Sequence, residues 1–483
     1  MKHLAFASIE QLQKLIERKE ISSRELVSFF AKRFEQHDER VKSAIEVFDV
    51  PSTLRLSQPS GPLSGIPGIL KDNIAQRGRQ LTCASKILTG FTSPYDATAI
   101  ERLKKSGAPL LGRANCDEFA MGGSTEYSAY FKTHNPWDLD RIPGGSSGGS
   151  IAAVAAGLCP WALGTETGGS VRLPAAFCGI VGLKPTYGLV SRYGVVAYAS
   201  SFDQIGISTR TVKDNATILS VIAGHDVHDA TSRSVMPRDY TRLLDGRLPE
   251  HCTIGVLDNM VHIKGMQPAV QERIEAAIKE FEKLGARVKR ISIPVLDYCA
   301  AVYFVLSRAE AASNLARFDG VRYGLRDRDT QTLEEMYMRT RHEGFGAEVR
   351  ARMLIGNYVL SAGYSRKFYA NAKKVQQLMR VEVERVLKDV DVLLAPTQAA
   401  PAYKIGACDN DPLTIDLLDF FTCFANIIGI PGLALPCGFV DNMPVGFQLF
   451  GPALSEELLY KVGHAYEQVT PWHTMHPPMF VER

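Results

Sequence analysis

The sequence lacks the features that mark several large classes of protein. No uncharged apolar run approaches the ~20 residues that a membrane-spanning helix requires. The 55 basic residues are nearly balanced by 52 acidic ones, which leaves a net charge of +3, whereas a nucleic-acid-binding domain usually has a basic excess. Residues 1–15 become charged too early for a signal peptide. We therefore expect no membrane segment and no direct binding of nucleic acid.

Cysteine pairs and metal-binding motifs are also missing. The nine cysteines are scattered without a C-x-x-C pair, and no H-E-x-x-H segment occurs. Scattered thiols are typical of a protein kept reduced, so we expect a cytoplasmic location. His225 and His228 resemble a metal-binding pair but lie in a polar stretch with no further ligands nearby, and we expect no metal. Cys178 is interpreted as a small core residue.

The most informative stretch is residues 144–176, which contains two Gly/Ser clusters at 144–150 and 168–170. Glycine permits tight turns and a close approach of the backbone to a ligand. A serine hydroxyl becomes a nucleophile when a base activates it. Between the clusters, residues 151–163 predict a helix followed by a buried strand. We therefore expect the clusters to be separate in sequence and adjacent in space, as in an active site.

Other interpretations of this stretch are less well supported. A flexible Gly/Ser linker would not have apolar flanks. A phosphate-binding loop requires a lysine directly after its glycines, and none occurs between Lys132 and Lys184. Residues 144–148 match the G-x-S-x-G nucleophile elbow of hydrolases, but an elbow follows a strand and residues 135–143 read as a loop. That elbow would use Ser146 with a downstream histidine, and the candidates include His464 and His473.

Lys71 lies within the apolar segment GIPGILKDNI at residues 65–74. A lysine at the end of a strand usually keeps its amine in water. In apolar surroundings, by contrast, the ammonium is disfavoured and its pKa falls below ~10.4, which leaves a neutral amine able to act as a base. The residues alone leave both interpretations open.

The rest of the chain alternates helical and strand patterns. Ser8 with Gln11, and Ser22 with Glu25, have capping-box spacing and predict two N-terminal helices. The order of β and α patterns further along predicts an α/β fold with a mainly parallel sheet. Helices are predicted over 98–105, 208–222, 269–284, much of 349–387 and 455–469, and strands over 109–112, 252–257, 287–293, 390–394, 433–436 and 445–450.

Three segments together resemble the amidase signature family. They are GIPGILKDNI with Lys71, PGGSSGGS with Ser146 and TETGGSVRLPAAFCG with Ser170. The resemblance covers nearly the whole chain and implies an α/β fold: a single large amidase-signature domain, residues 1–483, with a twisted mixed β-sheet covered by helices on both faces. It implies N-terminal helices at 8–48, a signature core at about 62–215 and a remaining α/β part at 216–483.

The chemistry of that family implies a Ser–cis-Ser–Lys triad. Ser170 would be the nucleophile, Ser146 the bridging serine after a cis peptide bond, and Lys71 the base. The oxyanion hole would be formed by Thr167, Gly168 and Gly169.

Further segments, ASNLARFDGVRYG, EVRARMLIGNYVLSAGY and IPGLALPCG, are similar to one branch of the family, the glutaminase subunits of tRNA-dependent amidotransferases. This similarity implies hydrolysis of glutamine to glutamate and ammonia, with Tyr303, Arg352 and Asp419 binding the substrate. The ammonia would pass to a B subunit, which uses ATP and Mg²⁺ to convert Glu-tRNA(Gln) to Gln-tRNA(Gln). A C subunit would complete the heterotrimer. No cofactor is expected on this chain, and tRNA would bind through the B subunit.

The sequence departs from that branch at four positions near the signature: Asp, Gln, Asn and Gly are usual where this chain has Glu166, Leu173, Tyr127 and Phe131. Two other functions stay open. A stand-alone amidase acting on small or aryl amides would keep the triad without needing Arg352. A non-catalytic scaffold that binds partner subunits would need no triad at all.

Overall fold

The structure is a computed structural model that describes residues 4–55, 61–407 and 418–481. Its β-strands are β1 Ala44–Val47, β2 Gly68–Lys71, β3 Leu110–Ala114, β4 Trp161–Glu166, β5 Val181–Lys184, β6 Gln204–Thr209, β7 Thr253–Leu257, β8 Arg287–Ile291, β9 Val392–Pro396, β10 Gly432–Val440 and β11 Met443–Phe450. Its α-helices are α1 Ile9–Glu17, α2 Ser23–Val41, α3 Val50–Arg55, α4 Thr98–Lys105, α5 Gly148–Ala155, α6 Arg172–Cys178, α7 Val212–Ile222, α8 Asp258–Val261, α9 Pro268–Lys283, α10 Cys299–Asn314, α11 Leu333–Gly344, α12 Ala347–Leu360, α13 Tyr369–Val386, α14 Cys423–Ile428 and α15 Glu456–Val469.

All of these strands belong to one 11-stranded sheet in the order β1-β3-β2-β4-β6-β5-β10-β11-β9-β7-β8. The pairs β2·β3, β2·β4, β7·β8 and β7·β9 are parallel. The pairs β1·β3, β4·β6, β6·β5, β5·β10, β10·β11 and β11·β9 are antiparallel. The mixed sheet implied by the family resemblance is therefore confirmed, and the mainly parallel sheet predicted from the β-α-β order is wrong. Helical crossovers impose parallel pairing only in the two outer parts of the sheet.

Helices cover both faces of the sheet, as strand β9 demonstrates. Successive residues of a strand point to opposite faces. In β9, Leu394 packs into one hydrophobic cluster with Ile274 of α9, whereas Leu393 packs into another with Leu306 of α10 and Met379 of α13. The α/β architecture with helices on both faces is therefore confirmed.

The two N-terminal helices begin at the predicted capping boxes. Ser8 Oγ accepts a hydrogen bond from the Gln11 N–H at 3.2 Å, and the Gln11 side chain accepts one from the Ser8 N–H at 2.8 Å. Ser22 and Glu25 make the same reciprocal pair, at 3.2 and 2.8 Å. Each pair satisfies two N–H groups that the helix itself leaves unbonded.

Strand β6 was not predicted, because the sequence favoured a helix from residue 208. All six residues of β6 are buried between β4 and β5, including the polar residues Gln204, Ser208 and Thr209. Polar residues at buried positions remove the alternation that identifies a strand. Among other differences, α10 begins at Cys299, ten residues before the helical pattern that starts at 309 in the sequence. The charged stretch 326–344, whose composition favours an exposed loop or a short helix, contains the 12-residue helix α11.

A search of the described residues finds no helix with the length and apolarity needed to cross a membrane. Strand β5, from the predicted signature core, pairs with β10, from the predicted remaining part. The sheet is therefore continuous across these two regions, and their boundaries stay a prediction.

Candidate active site

Lys71 is the last residue of β2, and its side chain is fully buried. Its Nζ atom donates hydrogen bonds to Ser146 Oγ at 2.7 Å, Ser147 Oγ at 2.9 Å and the Thr165 carbonyl oxygen at 3.2 Å. Because β2 and β4 pair in parallel, this amine lies at their common carboxyl edge, where α/β sheets usually bind ligands. The structure thus places Lys71 in the buried environment that the sequence left as one of two possibilities.

Burial controls the protonation of Lys71. It lowers the pKa of the amine to about 8, and nearby acidic groups, among them Asp117 and Asp203, oppose this shift by favouring the ammonium. Burial dominates because a charge taken from water into a protein interior loses its hydration. At a pKa of about 8, roughly a tenth of Lys71 is uncharged at pH 7 and able to accept a proton.

Ser146 lies in the loop that leads into α5, directly after a cis Gly145–Ser146 peptide bond. Its carbonyl oxygen accepts a hydrogen bond from the Asp117 N–H at 3.2 Å. A Cβ at Gly145 would lie 2.2 Å from Asp117 Oδ2, so only glycine fits there. The Asp117 carboxylate in turn accepts the N–H groups of Thr125 at 2.9 Å and Tyr127 at 3.1 Å. These contacts hold the first Gly/Ser cluster in place.

Ser170 lies between β4 and α6 and is 3% exposed. Its carbonyl oxygen accepts a hydrogen bond from the Ser147 N–H at 3.1 Å. This bond joins the two Gly/Ser clusters, so the prediction that they are adjacent in space is confirmed. Lys71, Ser146 and Ser170 therefore share one largely buried site.

The turn before Ser170 lies against Tyr303 and Asp419, two of the residues predicted to bind substrate. Thr167 Oγ1 and the Tyr303 hydroxyl are hydrogen-bonded at 2.7 Å. A Cβ at Gly168 would lie 2.6 Å from Tyr303 Cζ and 2.9 Å from Asp419 Oδ2. A methyl group there would overlap these side chains, so position 168 requires glycine.

Arg352, on α12, is 4% exposed and faces the same region. Its Nη1 donates to the Tyr198 hydroxyl at 2.9 Å, and its Nε donates to Glu348 Oε1 at 2.7 Å. Burial raises the pKa of Tyr303 well above its ordinary value, the Asp419 carboxylate acts in the same direction, and the Arg352 guanidinium opposes both. Arg352, Tyr303 and Asp419 therefore lie within electrostatic range around one buried site.

Comparison with known proteins agrees with this geometry. A sequence profile of the family described as Amidase matches residues 25–460. The chain belongs to the amidase family. It is 47% identical over 485 residues to the A subunit of the glutamyl-tRNA(Gln) amidotransferase of Carboxydothermus hydrogenoformans, a match that covers 99% of this amidase and 100% of the relative.

Two solved structures share the fold over nearly its whole length. The crystal structure of the glutamyl-tRNA(Gln) amidotransferase A subunit from Thermotoga maritima superimposes with a TM-score of 0.85 at 39% identity and covers 99% of each chain. A 6-aminohexanoate cyclic dimer hydrolase superimposes with a TM-score of 0.85 at 25% identity and also covers 99% of each chain. The fold of this amidase is thus shared by proteins with different named substrates.

Glu166, which stands where the resembled branch usually has aspartate, organises the backbone just after Ser170. Its Oε2 accepts the N–H groups of Val171 at 3.1 Å and Arg172 at 3.2 Å. Its Oε1 forms a buried ion pair with the Arg172 guanidinium. Arg172 Nη2 also donates to Asn426 Oδ1 at 2.9 Å. The side chain of Glu166 is one methylene longer than that of aspartate, and both of its carboxylate oxygens hold the turn that carries Ser170.

The other three departures lie in different surroundings. Leu173 lines an apolar cavity of about 300 Å³ together with Phe420 and Phe421, which directly follow Asp419 in sequence. Tyr127 belongs to the loop held by the Asp117 carboxylate. Phe131 lines a different surface cavity, between α2 and β1.

Ser147, Thr165 and Asn73 contact the site in this amidase but were not predicted. Ser147 Oγ donates to the Thr165 carbonyl oxygen at 3.0 Å, and Asn73 Nδ2 donates to Thr165 Oγ1 at 2.8 Å. The adjacency of Ser147 to Ser146 is the one sequence signal that points to it. That both of these neighbouring serines contact Lys71 depends on the path of the backbone and cannot be inferred from the sequence.

Three residues set aside in the sequence analysis have ordinary contacts. Cys178 is buried, its Sγ donates to the Pro143 carbonyl oxygen at 3.5 Å, and burial raises the pKa of its thiol. His228 Nδ1 lies 2.9 Å from Asp226 Oδ1. Across residues 4–55, 61–407 and 418–481, no cluster of three or more His, Cys, Asp or Glu side chains has a metal-binding arrangement, His225 included.

Proposed function

We propose that this amidase is the glutaminase subunit of a tRNA-dependent amidotransferase. The observation that carries the proposal is the buried hydrogen bond of 2.7 Å from Lys71 Nζ to Ser146 Oγ, with Ser170 in the adjoining turn. The similarity to the A subunits of Carboxydothermus and Thermotoga, over almost the full length of every chain, supports the choice of substrate.

Proton transfer begins at Lys71. A serine hydroxyl is a weak nucleophile until a base accepts its proton. Uncharged Lys71 takes the proton of Ser146, and Ser146 takes the proton of Ser170. Ser170 Oγ then attacks the side-chain amide carbon of glutamine and forms a tetrahedral intermediate.

Collapse of that intermediate releases ammonia. Lys71, now an ammonium, returns its proton through Ser146 to the departing nitrogen, and the C–N bond breaks. The product is a glutamyl ester on Ser170. Water, deprotonated through the same two residues, attacks the ester carbonyl, releases glutamate and restores the Ser170 hydroxyl.

The attack by Ser170 and the later attack by water each form a tetrahedral intermediate with a negatively charged oxygen. That oxygen needs hydrogen-bond donors that are in place before the reaction. The backbone N–H groups of the turn at residues 167–169 directly precede Ser170. Gly168 and Gly169 carry no side chain that could shield these N–H groups, and Tyr303, Asp419 and Thr422 fill the space that a Cβ would take. In a serine protease, one such donor lowers the barrier by about 3–4 kcal/mol. We assign the oxyanion hole to this turn.

Free glutamine carries two charges that a simple amide lacks. The Arg352 guanidinium suits the α-carboxylate, because its fork of N–H groups can bind both oxygens. The Asp419 carboxylate suits the α-ammonium, and Tyr303 closes the pocket between them. These assignments rest on the resemblance and on the burial of all three side chains.

The released ammonia passes to a partner B subunit, which uses ATP and Mg²⁺ to convert Glu-tRNA(Gln) to Gln-tRNA(Gln). A C subunit completes the heterotrimer, and the tRNA contacts this amidase only through the B subunit. The near balance of basic and acidic residues supports this division of labour.

The proposal is tested by assaying glutamine hydrolysis by the purified chain, alone and with the B and C subunits, with Ser170→Ala as the control. Activity that requires Ser170 and rises with the partners is expected. A second candidate is a stand-alone amide hydrolase, because the fold is shared with a 6-aminohexanoate cyclic dimer hydrolase. Turnover of a simple amide without partners, no turnover of glutamine, and no loss of that turnover in Arg352→Ala would establish the second candidate.

A further inference from the structure

A cavity of about 600 Å³ lies beside α13, apart from the triad. Its walls come from α13, from the end of α14 and from the segment after β11. Its floor is apolar and includes Ile427, Ile428 and Ile430. Its volume is within the range of sites that bind small molecules.

The rim of this cavity carries an excess of positive charge. Four basic side chains line it, Arg233, Lys373, Arg380 and Lys388, against a single acidic one, Glu384. Within the described ranges, Lys373, Arg380 and Lys388 make no ion pair. Elsewhere on α13, by contrast, Arg385 does pair with Glu382, at 2.9 Å. The cationic side chains are therefore gathered around the cavity without matching carboxylates.

A buried amide at the base of the cavity adds a second, independent observation. Asn426 lines the cavity and is 1% exposed. Its Oδ1 accepts from Arg172, but in the part of the chain that the structure describes its Nδ2 has no acceptor. A buried donor without a partner is costly and is uncommon in folded proteins. An acceptor group supplied by a ligand would remove that cost.

We propose that this cavity binds a small ligand that carries phosphate or carboxylate groups on an apolar body. The cationic rim selects the anionic groups, and the isoleucine floor accommodates the apolar body. The rim cations are exposed to solvent, so salt screens their attraction for an anion and the affinity falls as ionic strength rises.

The contacts of Asn426 connect this cavity to the catalytic turn. Arg172 bonds both Asn426 and Glu166, and Glu166 accepts the Val171 N–H directly after Ser170. A ligand that reorients the Asn426 amide therefore acts on the residues that position Ser170. Occupancy of the cavity is expected to change the rate of hydrolysis.

The binding step is tested by calorimetric titration of the full chain at constant ionic strength. Pyrophosphate and citrate are the two probes, and they distinguish a phosphate ligand from a carboxylate ligand. Lys373→Glu reverses one charge on the rim, and Lys374→Glu, the neighbouring exposed residue of α13 that does not line the cavity, is the matched control. Calorimetry does not depend on glutamine turnover, so a failure here is separate from a failure of the proposed function.

We expect saturable binding of at least one probe to the wild type and to Lys374→Glu, weakened at least tenfold in Lys373→Glu, which is about 1.4 kcal/mol. No binding of either probe, or equal affinity in the two variants, would overturn the site. For the connection to Ser170, the saturating probe should change kcat or KM of the wild type and leave Lys373→Glu unchanged. An unchanged rate at saturation in the wild type would overturn the connection.

Discussion

At the scale of single residues, the proposed mechanism depends on an uncharged Lys71. A lysine in water is almost entirely an ammonium at neutral pH and cannot accept a proton. Burial at the end of β2 reduces that obstacle, because it lowers the pKa of the amine to about 8. In the uncharged form, Nζ can direct its lone pair at the Ser146 hydroxyl, 2.7 Å away, and its two N–H groups at Ser147 Oγ and the Thr165 carbonyl oxygen.

The pH dependence of hydrolysis follows from this pKa. Below pH 8 the ammonium form dominates and blocks the base, and above it the amine dominates. We expect kcat/KM for glutamine to rise about tenfold per pH unit below pH 8 and to level off above it. A pH–rate profile of the purified protein measures this directly.

Asp203 offers a variant that tests whether Lys71 controls this pH–rate profile. The Asp203 carboxylate raises the pKa of Lys71, so Asp203→Asn should move the rising limb to lower pH. A limb that stays in place, or moves to higher pH, would mean that a group other than Lys71 controls the rate.

A site residue could be predicted only where the surrounding sequence forms a recognisable motif. Lys71, Ser146 and Ser170 stand in long, distinctive segments, and the sequence indicated that their clusters would meet. Asp117 had no such signal, because its role is to accept two backbone N–H groups from a loop whose path only the folded chain defines.

At the scale of elements, the turn between β4 and α6 brings together the candidate nucleophile, the proposed oxyanion donors and the residues proposed to bind substrate. Its glycines are needed because Tyr303 and Asp419 leave no space for a Cβ at Gly168. The buried Glu166–Arg172 pair then fixes the backbone on the other side of Ser170.

Gly168→Ala tests the tightness of this turn. The added methyl group would lie 2.6 Å from Tyr303 Cζ, so Tyr303 and Asp419 must move. We expect KM for glutamine to rise about tenfold or more, because small displacements of positioning groups are costly. Gly285→Ala is the control: its φ of +94° makes the change cost stability, but its Cβ would meet nothing within 4 Å, so Tyr303 and Asp419 stay in place. Equal kinetics in the two variants would contradict the assignment of this turn.

Arg172→Met tests the buried ion pair. The change leaves the Glu166 carboxylate buried without its partner, and breaking such a pair costs about 3–5 kcal/mol. We expect that loss in the free energy of unfolding from urea titration. Arg385→Met, which breaks the exposed pair with Glu382, should cost at most about 1 kcal/mol. The account of the turn fails if both variants lose the same amount.

Elements whose signals are local were predicted well. Helix α4 has the predicted bounds, and α1 and α2 begin at their capping residues. Strand β10 is longer than predicted, because pairing with β11 extends it past Pro436 through an irregularity in register. Such extensions depend on a partner strand that is invisible in the segment itself.

At the scale of the whole molecule, one continuous sheet joins both halves of the chain and brings distant residues to one site. Lys71 lies on β2, in the N-terminal half of the chain. Arg352, on α12, and Asp419, just before α14, lie in the C-terminal half. The parallel pairs β2·β3 and β2·β4 set the position of Lys71. The antiparallel centre could not be inferred from the β-α-β order, because strand order is a property of tertiary pairing.

The central claim is that Ser170 carries the glutamyl group during turnover. The most direct measurement is to quench the protein in acid during glutamine hydrolysis and to analyse its peptides by mass spectrometry. The account predicts a glutamyl ester on the peptide containing Ser170, and its loss together with all hydrolysis in Ser170→Ala. An adduct on any other residue, or undiminished hydrolysis in Ser170→Ala, would contradict it.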